Sequence, residues 1–408
     1  MKNKFRRMLW VYSSVVFLML TLRIASAVTI EPRDRILILA SIDAFRADYL
    51  QKFKPTNLMK LAAEGVHAEK LIPVFPTMTF PNHQTIVTGL RPEHHGVIHN
   101  NFYDPERNAF FAFNKYKPED AFWWSGEPIW VTAVKQGLRA DCLFWPGTGV
   151  KMADVLPTEF RPFEKDPTPS DCIQQVLKWL HQPVEKRANL LVAYFHHMDT
   201  AGHHDGPDSP KMAEAVKQVD DAIGQLVAGL HHRKLDDIAN LVIVSDHGMK
   251  EISTDRMIAL ADFVDLEKVQ IDFSGALAGL RPLNGKVDAL YDAFKAKEKN
   301  FHVYRKENMP PRYHFTENKR IPPVILVADD GWYLSTKNSM SNKATHGFDP
   351  ELDSMGATFI ASGPAFRHGV TLKPFENVHI YNLLCATLGL KPAPNDGDDR
   401  LVKEVLAK

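Results

Sequence analysis

"RILILASIDAF", residues 35–45, runs from Ile36 to Ile42 apolar but for Ser41 and stops at an aspartate. A strand buried on both faces has no solvated side to alternate with, so this pattern belongs inside a parallel sheet. "NLLVAYF", residues 189–195, and "NLVIVSDHG", residues 240–248, repeat it. Between those two, Met212, Val216, Val219, Ile223, Leu226 and Leu230 recur at helical spacing, and Ser209-Pro210 predicts the helix start. Short apolar runs alternating with helical periodicities predict an α/β fold, a mostly parallel sheet sandwiched by helices. From about Asp255 to Lys319 the sequence turns charged and less periodic, which predicts a smaller inserted α+β subdomain over 255–319. The core is then expected to comprise 28–254 and 320–408, resuming at "PPVILVADDGWYL" and closing with a helix around Ile380 to Leu388. No internal repeat or low-complexity tract interrupts it.

The 408 residues, 45% of them hydrophobic, suffice for a large core and exclude a disordered chain. Lysine plus arginine equals aspartate plus glutamate, 49 against 49, so no global field draws the protein to nucleic acid or to an anionic membrane. No stable nucleic-acid partner is expected. Residues 1–27 begin with Lys2, Lys4, Arg6 and Arg7, continue through an apolar run from Met8 to Leu22, and end in Ala25-Ser26-Ala27. That order reads as a secretory signal peptide, with membrane contact only if it stays uncleaved. Three cysteines, Cys142, Cys172 and Cys385, make no disulfide framework, although the first two are candidates to pair. The combination predicts an exported protein, periplasmic or secreted, and favours a bacterial periplasmic enzyme.

The three buried runs share one feature. Ile36 to Ile42 ends at Asp43, Leu190 to Phe195 is followed by Asp199, and Leu241 to Val244 leads to Asp246. Carboxyl ends of parallel strands line the ligand crevice of an open sheet, so the three carboxylates are expected at one edge. Unpaired they repel, which implies cations between them. His203 lies four residues after Asp199, His247 follows Asp246, and His346 sits in "THGFDP". A mixed oxygen and imidazole set suits zinc, with manganese or iron open alternatives. With 18 histidines in the chain, each one alone reads as a surface or core residue; the aspartates beside these three set them apart. Thr79, in "PTMTFPNHQTIVTG" (76–89), is the remaining question. A buried threonine ordinarily only satisfies a nearby carbonyl. Two zinc ions, however, balance three aspartates and an ionised threonine, and a metal lowers the cost of that ionisation.

Together "SIDAFRADYL", "PTMTFPNHQTIVTGLRPEHHGVIHNNFYDP", "GEPIW", "FWPGTGV", "DTAGHHDGP", "SDHGM", "THGFDP" and the stretch from "GPAF" to "PFENVHIYNLLCATLGLKPAPNDG" resemble the nucleotide pyrophosphatase/phosphodiesterase family of the alkaline phosphatase superfamily. The likeness covers nearly the whole chain after the signal. It implies an alkaline-phosphatase-like core and two Zn2+ per chain. One zinc would be held by Asp199, His203 and His346; the other by Asp43, Asp246 and His247, with Thr79 beside it. It further implies that Thr79 attacks phosphorus to form a phosphothreonine, that Asn100 donates to a non-bridging phosphate oxygen, and that Phe80 and Tyr194 sandwich the substrate's base or head group. "FHHMD" before Asp199 departs from the acidic and proline-containing pattern of many members, and Ala44 replaces a commoner glycine.

The resemblance implies hydrolysis of phosphodiester or pyrophosphate bonds in nucleoside triphosphates, dinucleotides or nucleotide sugars, releasing nucleoside 5′-monophosphates. A choline-phosphodiester or lysophospholipid hydrolase and a phosphonoacetate-type C–P hydrolase share the same core and stand as alternatives. A sulfatase is disfavoured, because Thr79 stands where that chemistry needs a cysteine or serine to convert. A non-catalytic binding protein would lack a ligand, and none of the six is missing.

Overall fold

The computed structural model describes residues 34–113, 120–337 and 339–407; the signal-like segment, residues 1–27, lies outside them. The strands that matter are β1 (Ile36–Ile42), β2 (Val66–Ala68), β3 (Ala140–Leu143), β4 (Glu159–Arg161), β5 (Leu190–Phe195) and β6 (Ala239–Val244). They are followed by β7 (Val269–Phe273), β8 (Leu277–Pro282), β9 (Phe301–Arg305), β10 (Val324–Ala328), β11 (Phe359–Ser362) and β12 (Val370–Leu372). The large sheet runs β12-β2-β11-β6-β1-β5-β3-β4. Its strands are parallel except β11, which is antiparallel to both neighbours. The α/β expectation holds.

Every residue of β1, β5 and β6 is buried, as their lack of alternation requires. Register then decides where the aspartates go. β1 pairs with β5 so that Ile42 faces Phe195, and with β6 so that Ser41 faces Val244. The three strands therefore end level, and the residues just beyond them share one edge. Helices cover the faces. The predicted helix is Pro210–His232, with the Ser209 hydroxyl accepting the Met212 N–H and all six stripe residues buried. The closing helix is Ile380–Leu388. Cys142, Cys172 and Cys385 are free and buried, so the candidate Cys142–Cys172 pair is absent.

The second sheet is antiparallel, in the order β7-β8-β10-β9. Here the structure departs from the expected boundary. The run placed at the return of the main core, Val324–Ala328, is an inner strand of this smaller sheet instead. Its period-two alternation explains the confusion: Ile325 and Val327 pack into the main core, while Val324, Leu326 and Ala328 join a second apolar cluster with Leu280, Leu290 and Phe294. A strand buried on both faces looks the same in sequence whichever sheet it joins.

Candidate active site

Most of the expected metal ligands stand at or just beyond the ends of elements. Asp43 follows β1 directly and Asp246 lies two residues beyond β6. Asp199 stands in the first turn of the helix His197–Asp205, and His203 one turn later, so both face the same side. His346 follows the short strand Ala344–Thr345. Thr79 is the first residue of the wholly buried helix Thr79–Thr88, at the end where the helix presents free N–H groups and a positive dipole. Gly248, next to His247, is required by packing: a Cβ there would lie 2.1 Å from the Ser354 carbonyl oxygen.

The donor atoms converge. Asp43, Asp246 and His247 offer donor atoms that all lie within 4.8 Å of one another, and so do Asp199, His247 and His346. The sets expected from sequence are thus fused through His247, with His203 reaching the second set at 3.2 Å from Asp199 Oδ1. Asp43 Oδ1, Asp199 Oδ1 and Asp246 Oδ2 are buried and receive no hydrogen bond. The imidazoles do not serve them, because each donates elsewhere. His203 Nδ1 lies 2.8 Å from the Ala344 carbonyl, His247 Nδ1 2.9 Å from that of Gly248, and His346 Nδ1 2.9 Å from that of Thr77. A carbonyl only accepts, so the proton sits on Nδ1 and the lone pair on Nε2. Those Nε2 atoms stand 3.0 Å from Asp246 Oδ2 (His247) and 3.6 Å from Asp199 Oδ1 (His346). Lone pairs facing buried carboxylate oxygens, each imidazole fixed from behind by a carbonyl, form a ligand shell for cations. The residues present fit a metal centre.

The electrostatics agree. Burial, then the charges of Asp246 and Asp199, push the Asp43 carboxyl well above the usual carboxylate range. Burial works to raise Asp246 too, but His247 and His83 outweigh it and hold it at about 2. Asp199 is likewise held low against burial by His203. Burial pulls His203 down, yet the facing Asp199 carboxylate takes it up to about 9, so without a cation between them His203 holds the Nε2 proton that a bound metal would displace. A carboxyl driven toward neutrality between two ionised neighbours marks a place built for positive charge.

Thr79 Oγ1 lies 3.2 Å from His247 Nε2, at the heart of this cluster. The Asn100 side-chain oxygen accepts the Phe80 N–H at 2.9 Å, which leaves its NH2 as the group it can present to a ligand. Phe80 flanks Thr79, its ring 5.9 Å from Phe111 and 6.0 Å from Phe113. Tyr194 departs from the expected sandwich. It is 8% exposed, its hydroxyl donates to Asp43 Oδ2 at 2.5 Å, and its ring stands edge-on to His83 at 4.9 Å. Inner-strand position explains this, since β5 is covered on both faces. The open aromatic face nearby belongs to Phe163, 49% exposed and 6.0 Å from the Tyr194 ring. Sequence reading missed Phe163, which lies in a polar stretch without periodicity. It also missed His83, whose Nδ1 donates to the Thr79 carbonyl at 2.8 Å while its Nε2 accepts from Ser41 Oγ at 2.9 Å. The four-residue spacing from Thr79 on one helix was the available signal.

A mostly parallel sheet whose strand ends, with a neighbouring helix and loop, gather three aspartates and three histidines around a threonine at the first position of a helix is the arrangement of a metal-dependent member of the alkaline phosphatase superfamily. The chain matches the family "Type I phosphodiesterase / nucleotide pyrophosphatase" over residues 37–349 and belongs to it. It is 34% identical over 394 residues to human ectonucleotide pyrophosphatase/phosphodiesterase family member 5, covering 96% of this chain and 82% of that protein. It is 39% identical to the venom phosphodiesterase of Crotalus durissus collilineatus over 88% of this chain but 45% of that one. The mouse family member 3 gives 37% identity over 88% of this chain and 43% of its own. This chain therefore spans less than half the length of the last two. The solved structure of murine family member 5, in an inactive threonine-to-alanine form in complex with AMP, superposes with a TM-score of 0.87 at 35% identity, covering 91% of this chain and 100% of that one. The human member 5 structure gives 0.88 at 34% identity, covering 92% of this chain and all of that one. These relatives are animal proteins, so the expected bacterial type is not borne out.

Proposed function

We propose that this chain is a two-zinc hydrolase of nucleotide phosphodiester and pyrophosphate bonds that releases nucleoside 5′-monophosphates through a phosphothreonine at Thr79. The observation that carries the reading is the shell of converging carboxylate and imidazole donors around a threonine hydroxyl at a helix N-terminus. AMP in the murine relative is a nucleoside monophosphate of the kind this reaction would release, and that relative is inactive in a form with threonine replaced by alanine.

Asp43, Asp246 and His247 would hold one cation and Asp199, His203 and His346 the other. Bound there, such ions lower the cost of ionising a hydroxyl and neutralise charge on a departing oxygen. Thr79 Oγ attacks phosphorus, its proton passing to solvent, and the ester P–O bond breaks with the leaving oxygen taking its electron pair. Water then attacks the phosphothreonine, the P–Oγ bond breaks, and two in-line displacements give net retention at phosphorus. The NH2 of Asn100 orients a non-bridging oxygen, and the helix N-terminus favours the anion. Phe80 offers one aromatic face to a base, with Phe163 the candidate for the opposite one. The signal-like N-terminus and the "ecto" and "venom" in the relatives' names support export. Among the described residues no helix is long and apolar enough to cross a membrane.

The test is hydrolysis of p-nitrophenyl thymidine 5′-monophosphate beside p-nitrophenyl phosphate and p-nitrophenyl phosphorylcholine by wild type and Thr79→Ala. Preference for the nucleotide diester, lost on chelation and reduced by at least about a thousandfold in Thr79→Ala with its zinc retained, is the expected result. Preference for the choline ester would move the chain to the lipid alternative, and near-normal activity of Thr79→Ala would refute the nucleophile.

A further inference from the structure

The described residues between Gly96 and Trp124 supply both Asn100 and the ring cluster behind Phe80. A single side chain from a distant part of the sequence ties them together. Arg320 is 5% exposed, and its guanidinium donates to Asp104 Oδ2 at 2.7 Å, the Gly96 carbonyl at 2.7 Å, the Trp123 carbonyl at 2.8 Å and the Phe122 carbonyl at 2.9 Å. The same plane lies 5.3 Å from the centres of the Phe102 and Phe122 rings and 5.5 Å from Trp123. A Cβ at Gly96 would come within 2.8 Å of its Nη1, so the backbone is shaped to admit it. This fork spans the beginning of the segment, the end of the strand Asn101–Asp104 and the turn Ala121–Trp123.

From there the packing leads to the site ring by ring. Phe102, under the guanidinium, stacks on Phe111 at 4.9 Å and 21°, and Phe111 meets Phe80 edge-on at 5.9 Å. Trp124, next to the tied carbonyl of Trp123, approaches Phe80 at 6.1 Å. Asn100 has its own anchor in the Phe80 N–H. Loss of the Arg320 fork thus loosens the aromatic wall while leaving the phosphate donor in place.

We propose that Arg320 is a positioning residue that sets the aromatic wall beside Thr79 and thereby the enzyme's selectivity for substrates carrying a base. The inference rests on the nucleotide reading above. Only a planar fork reaches an acid and several carbonyls at once, so Arg320→Lys keeps the charge beside Asp104 but loses the staple. In the full-length zinc-loaded protein, KM for p-nitrophenyl thymidine 5′-monophosphate and the inhibition constant of AMP are expected to rise about tenfold in Arg320→Lys. The kcat/KM for methyl p-nitrophenyl phosphate, which has no base, and inhibition by inorganic phosphate are expected to stay within about threefold. If Arg320→Lys fails to fold, Asp104→Asn reads the same split, because it removes one charge-assisted contact and leaves the Glu106 and Arg107 N–H groups bonded to its side-chain oxygen. Equal changes on both substrates, or none on either, would overturn the proposal. Wild-type protein inactive on both substrates would instead overturn the nucleotide reading itself.

Discussion

Side chains of Asp43, Asp246 and His247 are 1%, 0% and 0% exposed, whereas those of Asp199 and His203 are 20% and 21% exposed. The sealed trio grows from two adjacent central strands whose register fixes where they end. The open pair sits on one turn of a nine-residue helix, with His346 arriving from a separate loop. One half of the cluster is therefore held by the sheet and the other by a helix turn that solvent reaches. Burial strengthens electrostatics in the sealed half and makes any unpaired charge there costly. Water reaches the rim of the open half at His203 and the outer side of Asp199, although Asp199 Oδ1 and His346 are themselves buried.

The largest effect that separates the halves is removal of an imidazole. His247 belongs to both close-packed donor sets and touches Thr79, so His247→Ala is expected to lower kcat/KM by at least about a thousandfold and reduce binding of both metals. His203→Ala is expected to cost about a hundredfold, with one metal lost and activity partly recovered by raising free zinc. Metal content by mass spectrometry and activity over a zinc titration check both variants. Equal metal loss in the two would break the comparison. A smaller effect sharpens it: Tyr194→Phe removes the hydroxyl that holds Asp43 and is expected to lower kcat by about tenfold with little change in KM. A change confined to KM for the nucleotide diester would return Tyr194 to the substrate-stacking role.

The sealed half was also the more legible one. A charged residue at or just past the end of a largely apolar run stands out, so Asp43 and Asp246 could be placed from sequence, and the parallel register does the rest. His346 has no such strand behind it; motif resemblance, more than periodicity, pointed to it. Tyr194 and Val324–Ala328 show the limit of apolar runs. Their burial is evident, but sequence does not tell which group a tyrosine hydroxyl will meet or which sheet a strand will join. Ala44 adds a different case. Its φ of +58° is a left-handed conformation that glycine adopts more readily, so the unusual alanine carries a backbone cost, and its methyl packs with Met249 and Ala344. We propose the smaller sheet as the inserted subdomain, with its last strand beyond the boundary that composition suggested.

A fourth buried carboxylate tests whether an orphaned oxygen by itself makes a metal ligand. Asp141, on β3, also has an unbonded Oδ1, yet it belongs to neither close-packed donor set. Burial, then the nearby Glu159 charge, pushes its carboxyl from 3.8 to about 7, with Arg139 opposing. The folded state therefore binds a proton that the unfolded chain releases near 3.8, so stability is highest below that value and falls as pH rises toward 7. Asparagine has the shape of the protonated acid and no charge to lose. Asp141→Asn is thus expected to match wild type in thermal stability at about pH 4 and to exceed it by a few kcal/mol, on the order of the linkage energy, at pH 8. Its zinc content and turnover should be unchanged. A stability gain of the same size at both pH values would show that Asp141 does not carry the shift, and loss of zinc would show that the cluster extends to β3.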